Sequence, residues 1–224
     1  MTAGPANITA RLIIARHGEA RCNVEGRVGG PRTCTGLTET GHHQAALLAA
    51  RLAAEQRTSG AVFDAVYGSP RRRVQETGAA LADALGVALR TDPGLEGPRH
   101  GDADGRLWRD VEDAFRGAPD THPDQPYATG AETWTAYLGR ATTHLAELLG
   151  QHRGRSLLLA GHGETVHAAC HLLLKIPADA SAAIGFGSDH ASLTRYERHR
   201  DRYGNERWVL AALNDTAHLA PARA

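Results

Sequence analysis

The sequence predicts an α/β fold: a three-layer, doubly wound, mostly parallel sheet with helices on both faces, a cap insertion and a C-terminal hairpin. Short apolar runs alternate with longer helix-like patterns, which is typical of parallel strands joined by crossover helices. Apolar residues make up 42% of the 224 residues, enough for a packed core. We expect residues 1–224 to form one domain, with a cap or lid over about 97–130.

The regular elements follow in order along the chain. The apolar runs predict strands over 11–15, 63–69, 87–92 and 155–162. The Ala/Leu-rich and amphipathic stretches between and after them predict helices over 39–56, 70–85 and 164–174. Thr38 is expected to be the N-cap of the first helix. Ser69 and Pro70 supply an N-cap and a first-position proline for the second.

Two regions depart from this alternation. Residues 97–130 are rich in Gly, Pro, Asp and His, with one helical patch over 107–115, and are expected to pass over the edge of the sheet as a cap. Residues 192–213 have the pattern of a β-hairpin that turns at Tyr203-Gly204-Asn205.

Two segments of the chain resemble each other. "IIARHGEA" (13–20) and "LLAGHGET" (158–165) each consist of an apolar strand followed by His-Gly-Glu. In an open α/β sheet, ligands bind outside the carboxyl ends of the strands. If the two strands are neighbours, His17 and His162 face each other at that edge.

The residues near this edge suit a phosphate group. "SPRRRVQET" (69–77) puts Arg73 in the first turn of a helix, and Arg16 precedes His17. Two guanidinium groups match the oxygens of a phosphate. A neutral imidazole can attack phosphorus, while a second, protonated imidazole can stabilise the equatorial oxygens. Gly18 is expected to let the backbone approach the anion closely.

These motifs together resemble the histidine phosphatase superfamily, also called phosphoglycerate mutase-like, and within it a bacterial small-phosphatase branch. The similar segments are "RHGEARCN" (16–23), "GLTETGHHQA" (36–45), "SPRRRVQET" (69–77), "GHGE" (161–164), "HASLTRYE" (190–197) and "LNDTAHL" (213–219). The resemblance implies a phosphohistidine intermediate at His17, a phosphate site that includes Arg16, Arg73 and His162, and Asn23 near the transferring group. We include Gly18 and Gly163 among the substrate-binding residues. The resemblance implies no metal and no cofactor.

The sequence departs from the family pattern in three places. Ala20 stands where the family usually has Thr or Ser, and Gly29 where it often has Gln. The family's proton-donating glutamate would align with Gly97, and Glu96 lies one residue away. We expect Glu96 to be the general acid, with Asp104 and Glu164 as the other candidates.

Other polar and aromatic residues near these motifs have simpler interpretations. Arg71 and Arg72 are expected to be solvated, and Trp108 and Trp134 to pack the cap onto the sheet. Four basic residues of the cap could contact the substrate or be ordinary loop charges: Arg99, His100, Arg106 and Arg109.

The function predicted is hydrolysis of a phosphomonoester of a small metabolite by a metal-independent histidine acid phosphatase-type enzyme. A phosphomutase of the same fold, or a non-catalytic sensor or scaffold for a phosphoryl ligand, is the alternative. His167 and His171 have the i,i+4 spacing of zinc ligands, but "HAACH" lacks the glutamate of a metalloprotease motif. The glycine pattern at 161–166 does not match a dinucleotide site, and no Gly-x-Ser-x-Gly follows a strand.

The charge balance, the cysteine content and the N-terminal sequence indicate which ligands and which compartment fit this protein. Lys+Arg and Asp+Glu balance at 25 each, which argues against nucleic acid and membrane surfaces as ligands. Three cysteines without a Cys-x-x-Cys pair fit a reducing cytoplasm. "MTAGPANITA" lacks the pattern of a signal peptide, and no apolar run would span a bilayer. The physiological substrate, the choice between phosphatase and mutase, and the oligomeric state stay open at this stage.

Overall fold

The computed structural model describes residues 7–60 and 62–220. Within them, six strands form one sheet in the order β3–β2–β4–β1–β5–β6. The strands are β1 (Asn7–Arg16), β2 (Ala65–Gly68), β3 (Leu89–Thr91), β4 (Ser156–Gly161), β5 (Leu193–Arg200) and β6 (Glu206–Asp215). β3, β2, β4 and β1 are mutually parallel, β5 is antiparallel to β1, and β6 is antiparallel to β5. The predicted mostly parallel α/β fold is confirmed.

Helices cover both faces of the sheet. They are α1 (Arg21–Val24), α2 (Glu39–Ser59), α3 (Arg72–Leu85), α4 (Trp108–Phe115), α5 (Trp134–Gln151) and α6 (Gly163–Leu173). Successive strand residues point to opposite faces, so Leu12 and Ile14 pack against α5 and α6, whereas Ile13 and Ala15 pack against α2 and α3. The three layers follow directly from this alternation.

The prediction for the start of α3 is wrong in detail. The helix begins at Arg72, and its N-cap is Arg71, whose side chain makes no capping hydrogen bond. Ser69 is used elsewhere: its Oγ lies 2.9 Å from Nε2 of His162. By contrast, Thr38 caps α2 as predicted, because its side chain accepts a hydrogen bond from the N–H of Gly41.

Helix α5 is not one of the predicted helices, although its sequence has a helical pattern. Thr133 caps it by accepting from the N–H of Ala136, and its buried residues recur at helical spacing: Trp134, Tyr137, Leu138, Ala141, Leu145 and Leu148. This periodicity is the pattern of an amphipathic helix. α5 covers one face of the sheet beside α6. Trp134, in its first turn, lines a cavity next to Arg16.

The segment over 97–130 has its own small core. Val28 from the loop after α1 packs with Ala103, Val111 and Tyr127, and α4 lies where the sequence predicted a helical patch. The hairpin is formed by β5 and β6, with Gly204 at the turn in the left-handed region at φ 88°.

No helix within the described residues is long and apolar enough to cross a bilayer. The prediction about a signal peptide concerns residues 1–10, of which 1–6 lie outside the described residues.

Candidate active site

Two histidines meet at the carboxyl edge of the sheet because β1 and β4 are adjacent and parallel. Arg16 lies opposite Gly161, and the N–H of His17 donates to the carbonyl of Gly161 at 3.0 Å. The rings of His17 and His162 lie edge to face with centroids 5.5 Å apart, and both residues are almost fully buried. The predicted juxtaposition of the two His-Gly-Glu segments is therefore present in the structure.

Hydrogen bonds fix the tautomer of His17. Its Nδ1 lies 2.7 Å from the carbonyl oxygen of Gly18, which can only accept, so the ring proton is on Nδ1. Nε2 accepts from Nε–H of Arg73 at 3.0 Å. The lone pair of His17 is thus on Nε2, on the side of Arg73.

His162 is held in the opposite tautomer. Nη2 of Arg73 lies 3.3 Å from Nδ1 of His162, and a guanidinium can only donate. Nε2 of His162 therefore carries the proton and donates to Oγ of Ser69 at 2.9 Å. Arg73 links the two rings, and its Nη1 also donates to the carbonyl of Gly29 at 2.7 Å.

Burial keeps both rings neutral. It lowers the pKa of His17 and of His162 well below their usual range, and the positive charge of Arg73 lowers both further. The expectation of a protonated second imidazole does not hold for the free site, since Arg73 already donates to His162.

Arg16 turns towards the loop that precedes β5. Its Nη1 donates to the carbonyl of Ser188, and its Nη2 lies 3.3 Å from Nε2 of His190. Nε of Arg16 is buried and has no hydrogen-bond partner among the described residues. Burial lowers the pKa of Arg16, and the carboxylate of Glu164 partly opposes that shift. An anion would satisfy this unpaired donor.

His190 belongs to the site although the sequence analysis gave it no role. Its ring centroid lies 5.8 Å from that of His17. Burial and Arg16 lower the pKa of His190 to about 4. The only signal was its position at the start of "HASLTRYE", which was noted for its resemblance alone.

Arg71 is buried, contrary to the expectation that it is solvated, whereas Arg72 is exposed. Nη1 of Arg71 lies 3.5 Å from Oε1 of Glu96. The charge of Arg71 also contributes to the lowered pKa of His162, so this ion pair borders the histidine pair. Position 97 also faces the histidine pair, since a Cβ on Gly97 would lie 3.6 Å from Cδ2 of His162.

The other two carboxylates differ in what they contact. Asp104 accepts from the N–H groups of Gly30 and Arg32 and from the hydroxyl of Thr33. These bonds lower the pKa of Asp104, which makes it a poor proton donor. Glu164 lines a cavity beside Arg16.

The three remaining predicted site residues, Asn23, Gly18 and Gly163, lie near His17 or Arg16. Oδ1 of Asn23 accepts from the N–H of Ala20 at 3.1 Å, which ties it to the turn after His17. Gly18 is also constrained by packing, because a Cβ there would collide with the carbonyl of Gly41 in α2. Gly163 lies beside Nε of Arg16, with ordinary room for a Cβ.

A cavity of about 490 Å³ opens next to Arg16, between the cap and α6. Of the cap residues predicted as possible contacts, His100 lines it, whereas Arg99, Arg106 and Arg109 are exposed. Trp108 packs in the small core of the cap and Trp134 in the core beside the sheet, and both also form part of the cavity wall.

The zinc interpretation of His167 and His171 finds no support. Each ring bonds a different backbone carbonyl, that of Phe186 for His167 and that of Ile176 for His171. Within residues 7–60 and 62–220, no group of three or more His, Cys, Asp or Glu side chains is arranged to hold a metal ion.

Comparison with known proteins gives one family match. A family model for the histidine phosphatase superfamily, branch 1, matches residues 12–216. Among curated relatives, a probable phosphoglycerate mutase GpmB of Yersinia pestis is 28% identical over 212 residues, or 93% of this chain and 94% of the relative. Phosphoglycerate mutase-like protein 4 of Arabidopsis thaliana is 27% identical over 164 residues, or 71% of this chain and 69% of the relative.

Solved structures agree with this match. A mycobacterial glucosyl-3-phosphoglycerate phosphatase in complex with VO3 has a TM-score of 0.76 and 26% identity, covering 91% of this chain and 98% of that chain. A phosphoserine phosphatase mutant of Entamoeba histolytica, in complex with phosphoserine, has a TM-score of 0.74 at 20% identity, which shows likeness of fold alone. It covers 94% of this chain and 100% of that chain.

Proposed function

The chain belongs to the histidine phosphatase superfamily, and we propose that it hydrolyses small phosphomonoesters through a phosphohistidine at His17. Phosphatases and mutases are both represented among its relatives and structural neighbours. The observation that carries the proposal is the bond from Nε of Arg73 to Nε2 of His17. Through this bond the lone pair on Nε2 of a neutral His17 ring faces the guanidinium of Arg73.

Binding of a phosphate dianion would rearrange these hydrogen bonds. The phosphate oxygens accept from Arg73 and from the unpaired Nε of Arg16. Once Arg73 donates to the phosphate, Nε2 of His17 is free to attack phosphorus. The Nε2–P bond forms while the bond from phosphorus to the ester oxygen breaks, and the leaving oxygen takes a proton.

His162 stabilises the transferring group from the opposite side of Arg73. It is neutral in the free site, but a dianion beside Nδ1 favours the protonated ring, because an opposite charge at short range stabilises the charged form. An N–H of His162 then donates to an equatorial oxygen, and Ser69 keeps the ring in place from Nε2.

For the proton that the leaving oxygen needs, we propose Glu96, with Glu164 as its competitor. Glu96 pairs with Arg71, whose charge acts on His162, and this supports a position close to the phosphate. Glu164 lies in the cavity on the Arg16 side, where the leaving alcohol would extend.

Water completes the reaction by attacking phosphorus and releasing His17. We propose that no metal takes part, since Arg16, Arg73 and a protonated His162 already supply positive charge against the phosphate oxygens. The mutase alternative shares the first step and differs in the second, where a hydroxyl of another substrate replaces water.

The proposal is tested by measuring free phosphate released from p-nitrophenyl phosphate and from a panel of small phosphorylated metabolites. The protein is first treated exhaustively with EDTA. Release of phosphate without added metal is expected. Activity that appears only with Mg²⁺ or Zn²⁺ would contradict metal independence. Transfer of the phosphoryl group to a second substrate without free phosphate would favour a mutase. No turnover of any ester would favour the non-catalytic sensor.

A further inference from the structure

Most of the wall of the cavity beside Arg16 has no role in the phosphoryl transfer proposed for His17. The cavity begins at Arg16 and Gly163, next to the phosphate pocket, and extends under the cap to Glu112 and Asp120. Its volume of about 490 Å³ falls within the range of small-molecule sites. The alcohol part of a phosphomonoester bound at His17 would lie here.

Aromatic side chains form much of its wall. They come from the cap, α5 and the loop after α6: Trp108, Tyr127, Trp134 and Phe186. The rings of Trp108 and Tyr127 are 6.1 Å apart, and His167 lies edge-on to both Trp134 and Phe186. Faces of aromatic rings attract organic cations, especially where water is partly excluded.

The charged side chains on the wall of the cavity also favour a cation. Three carboxylates line the cavity, those of Glu112, Asp120 and Glu164, and Arg16 at the phosphate end is the single Lys or Arg among the lining residues described. The two lining histidines do not offset them: burial lowers the pKa of His100 to about 4 and also lowers that of His167. A second anionic group on the substrate would be repelled by these carboxylates.

One buried donor also lacks a partner. Trp134 is 6% exposed, lines the cavity, and its Nε1–H makes no hydrogen bond to any described residue. A buried indole N–H normally finds an acceptor. A hydroxyl or carbonyl oxygen on the alcohol part of the substrate would supply one.

We infer that the substrate is a phosphomonoester of an amine-bearing alcohol, with its ammonium group held between the aromatic wall and the carboxylates under the cap. This inference rests on the proposed phosphatase function and adds the substrate class to it. It divides the site into a cationic half for the phosphate, around Arg16 and Arg73, and an aromatic and anionic half for the amine.

The test uses three aryl phosphates whose leaving groups are para-alkylphenols of similar acidity that differ in the group at the end of the alkyl chain. They are 4-(2-aminoethyl)phenyl phosphate, 4-(2-hydroxyethyl)phenyl phosphate and 3-(4-phosphonooxyphenyl)propionate, which carry an ammonium, a hydroxyl and a carboxylate. We expect kcat/KM to be highest for the ammonium ester and lowest for the carboxylate, with roughly tenfold between the ammonium and hydroxyl esters. Equal values, or a preference for the carboxylate, would overturn the inference and leave the phosphatase proposal intact.

Variants locate the preference within the cavity. In a Glu112→Gln, Asp120→Asn double variant, the ratio of kcat/KM for the ammonium ester to that for the hydroxyl ester should fall several-fold. Asp113→Asn is the matched control, because Asp113 is an exposed carboxylate on the same helix as Glu112 and does not line the cavity. An unchanged ratio in the double variant would place the amine elsewhere and overturn the inference. If the wild type hydrolyses none of the three esters, the phosphatase proposal fails and the inference fails with it.

Discussion

Nε of Arg73 lies 3.0 Å from Nε2 of His17, the nitrogen proposed to attack phosphorus. The same guanidinium reaches Nδ1 of His162 and the carbonyl of Gly29. One side chain thereby orients both rings, and its charge adds to the effect of burial in lowering the pKa values of both histidines in the free site. A planar group with several fixed donors is needed for this, which is a property of arginine and not of lysine.

Replacing Arg73 by lysine should therefore strongly reduce catalytic activity. One ammonium group cannot donate to His17, His162 and Gly29 together, so kcat/KM for p-nitrophenyl phosphate should fall by roughly 10²–10³-fold. Arg72→Lys is the control, because Arg72 is exposed and pairs with Glu76. Similar kcat/KM values for the two variants, with thermal unfolding unchanged in both, would remove Arg73 from its proposed role.

His17 should carry the phosphoryl group during turnover. Mixing with ³²P-labelled substrate, followed by rapid denaturation without acid, should trap a label on the protein that is stable to base and lost in acid. His17→Ala should abolish this label, whereas His42→Ala on the exposed face of α2 should retain it. Undiminished labelling of His17→Ala would place the nucleophile at another residue.

The glycine after His17 is expected to be needed for packing. Gly18 and Gly41 bring the loop after β1 against the first turn of α2, and a Cβ at position 18 would collide with the Gly41 carbonyl. Gly18→Ala should lower the free energy of unfolding by about 1–3 kcal/mol, measured in urea. Gly139→Ala is the control: it lies within α5 with nothing within 4 Å of the added Cβ, and should stabilise by about 0.5–1 kcal/mol. Equal effects at the two positions would contradict this account.

Acid should destabilise the protein through its buried histidines. Burial lowers the pKa of His100 to about 4, against about 6.5 in an unfolded chain. Between these values the unfolded chain binds a proton that the folded protein does not, so stability falls as pH falls. From pH 7 to pH 5, His100 alone accounts for about 2 kcal/mol of that loss.

His100→Gln should remove this part of the pH dependence. The measurement is the free energy of unfolding in urea at pH 7 and pH 5, for the wild type, for His100→Gln and for His43→Gln as an exposed control. The first variant should lose about 2 kcal/mol less than the wild type over this interval, and the control should behave like the wild type. Equal losses in all three proteins would show that His100 titrates normally.

Local patterns in the sequence were sufficient to predict that His17, His162 and Arg73 lie together at the edge of the sheet. His17 and His162 follow apolar strands in matching segments, and Arg73 lies in a helix turn directly after a strand, so each position depends on one short stretch of chain. His190 and Arg71 could not be assigned in this way. Their burial depends on how the loop before β5 and the cap fold over the sheet edge, and these contacts join residues far apart in sequence. The buried residues of α5, in contrast, recur at helical spacing, so local information alone is enough to predict this helix.

The proton donor can be identified by its dependence on the leaving group. A general acid matters for an alkoxide and hardly at all for nitrophenolate. Glu96→Gln should slow phosphoenzyme formation from an alkyl phosphate by roughly 10²–10⁴-fold, with much less effect on an aryl phosphate. Asp104→Asn should show no such selectivity, because Asp104 is engaged by Gly30, Arg32 and Thr33. If Glu164→Gln shows the selective loss and Glu96→Gln does not, the donor is Glu164.

Position 97 offers a direct complement to that experiment. A Cβ on Gly97 would make ordinary van der Waals contact with the His162 ring, and Gly97 is not among the glycines with a positive φ, so a side chain fits the backbone there. Gly97→Glu is added to whichever of Glu96→Gln and Glu164→Gln shows the selective loss. The rate with the alkyl phosphate should then rise at least tenfold, because a carboxyl group is again directed at the leaving oxygen. Gly97→Gln is the matched control and should restore none, since an amide has no acidic proton of comparable pKa. Equal rates for the two variants would show that the pocket beside His162 is not where the leaving group receives its proton.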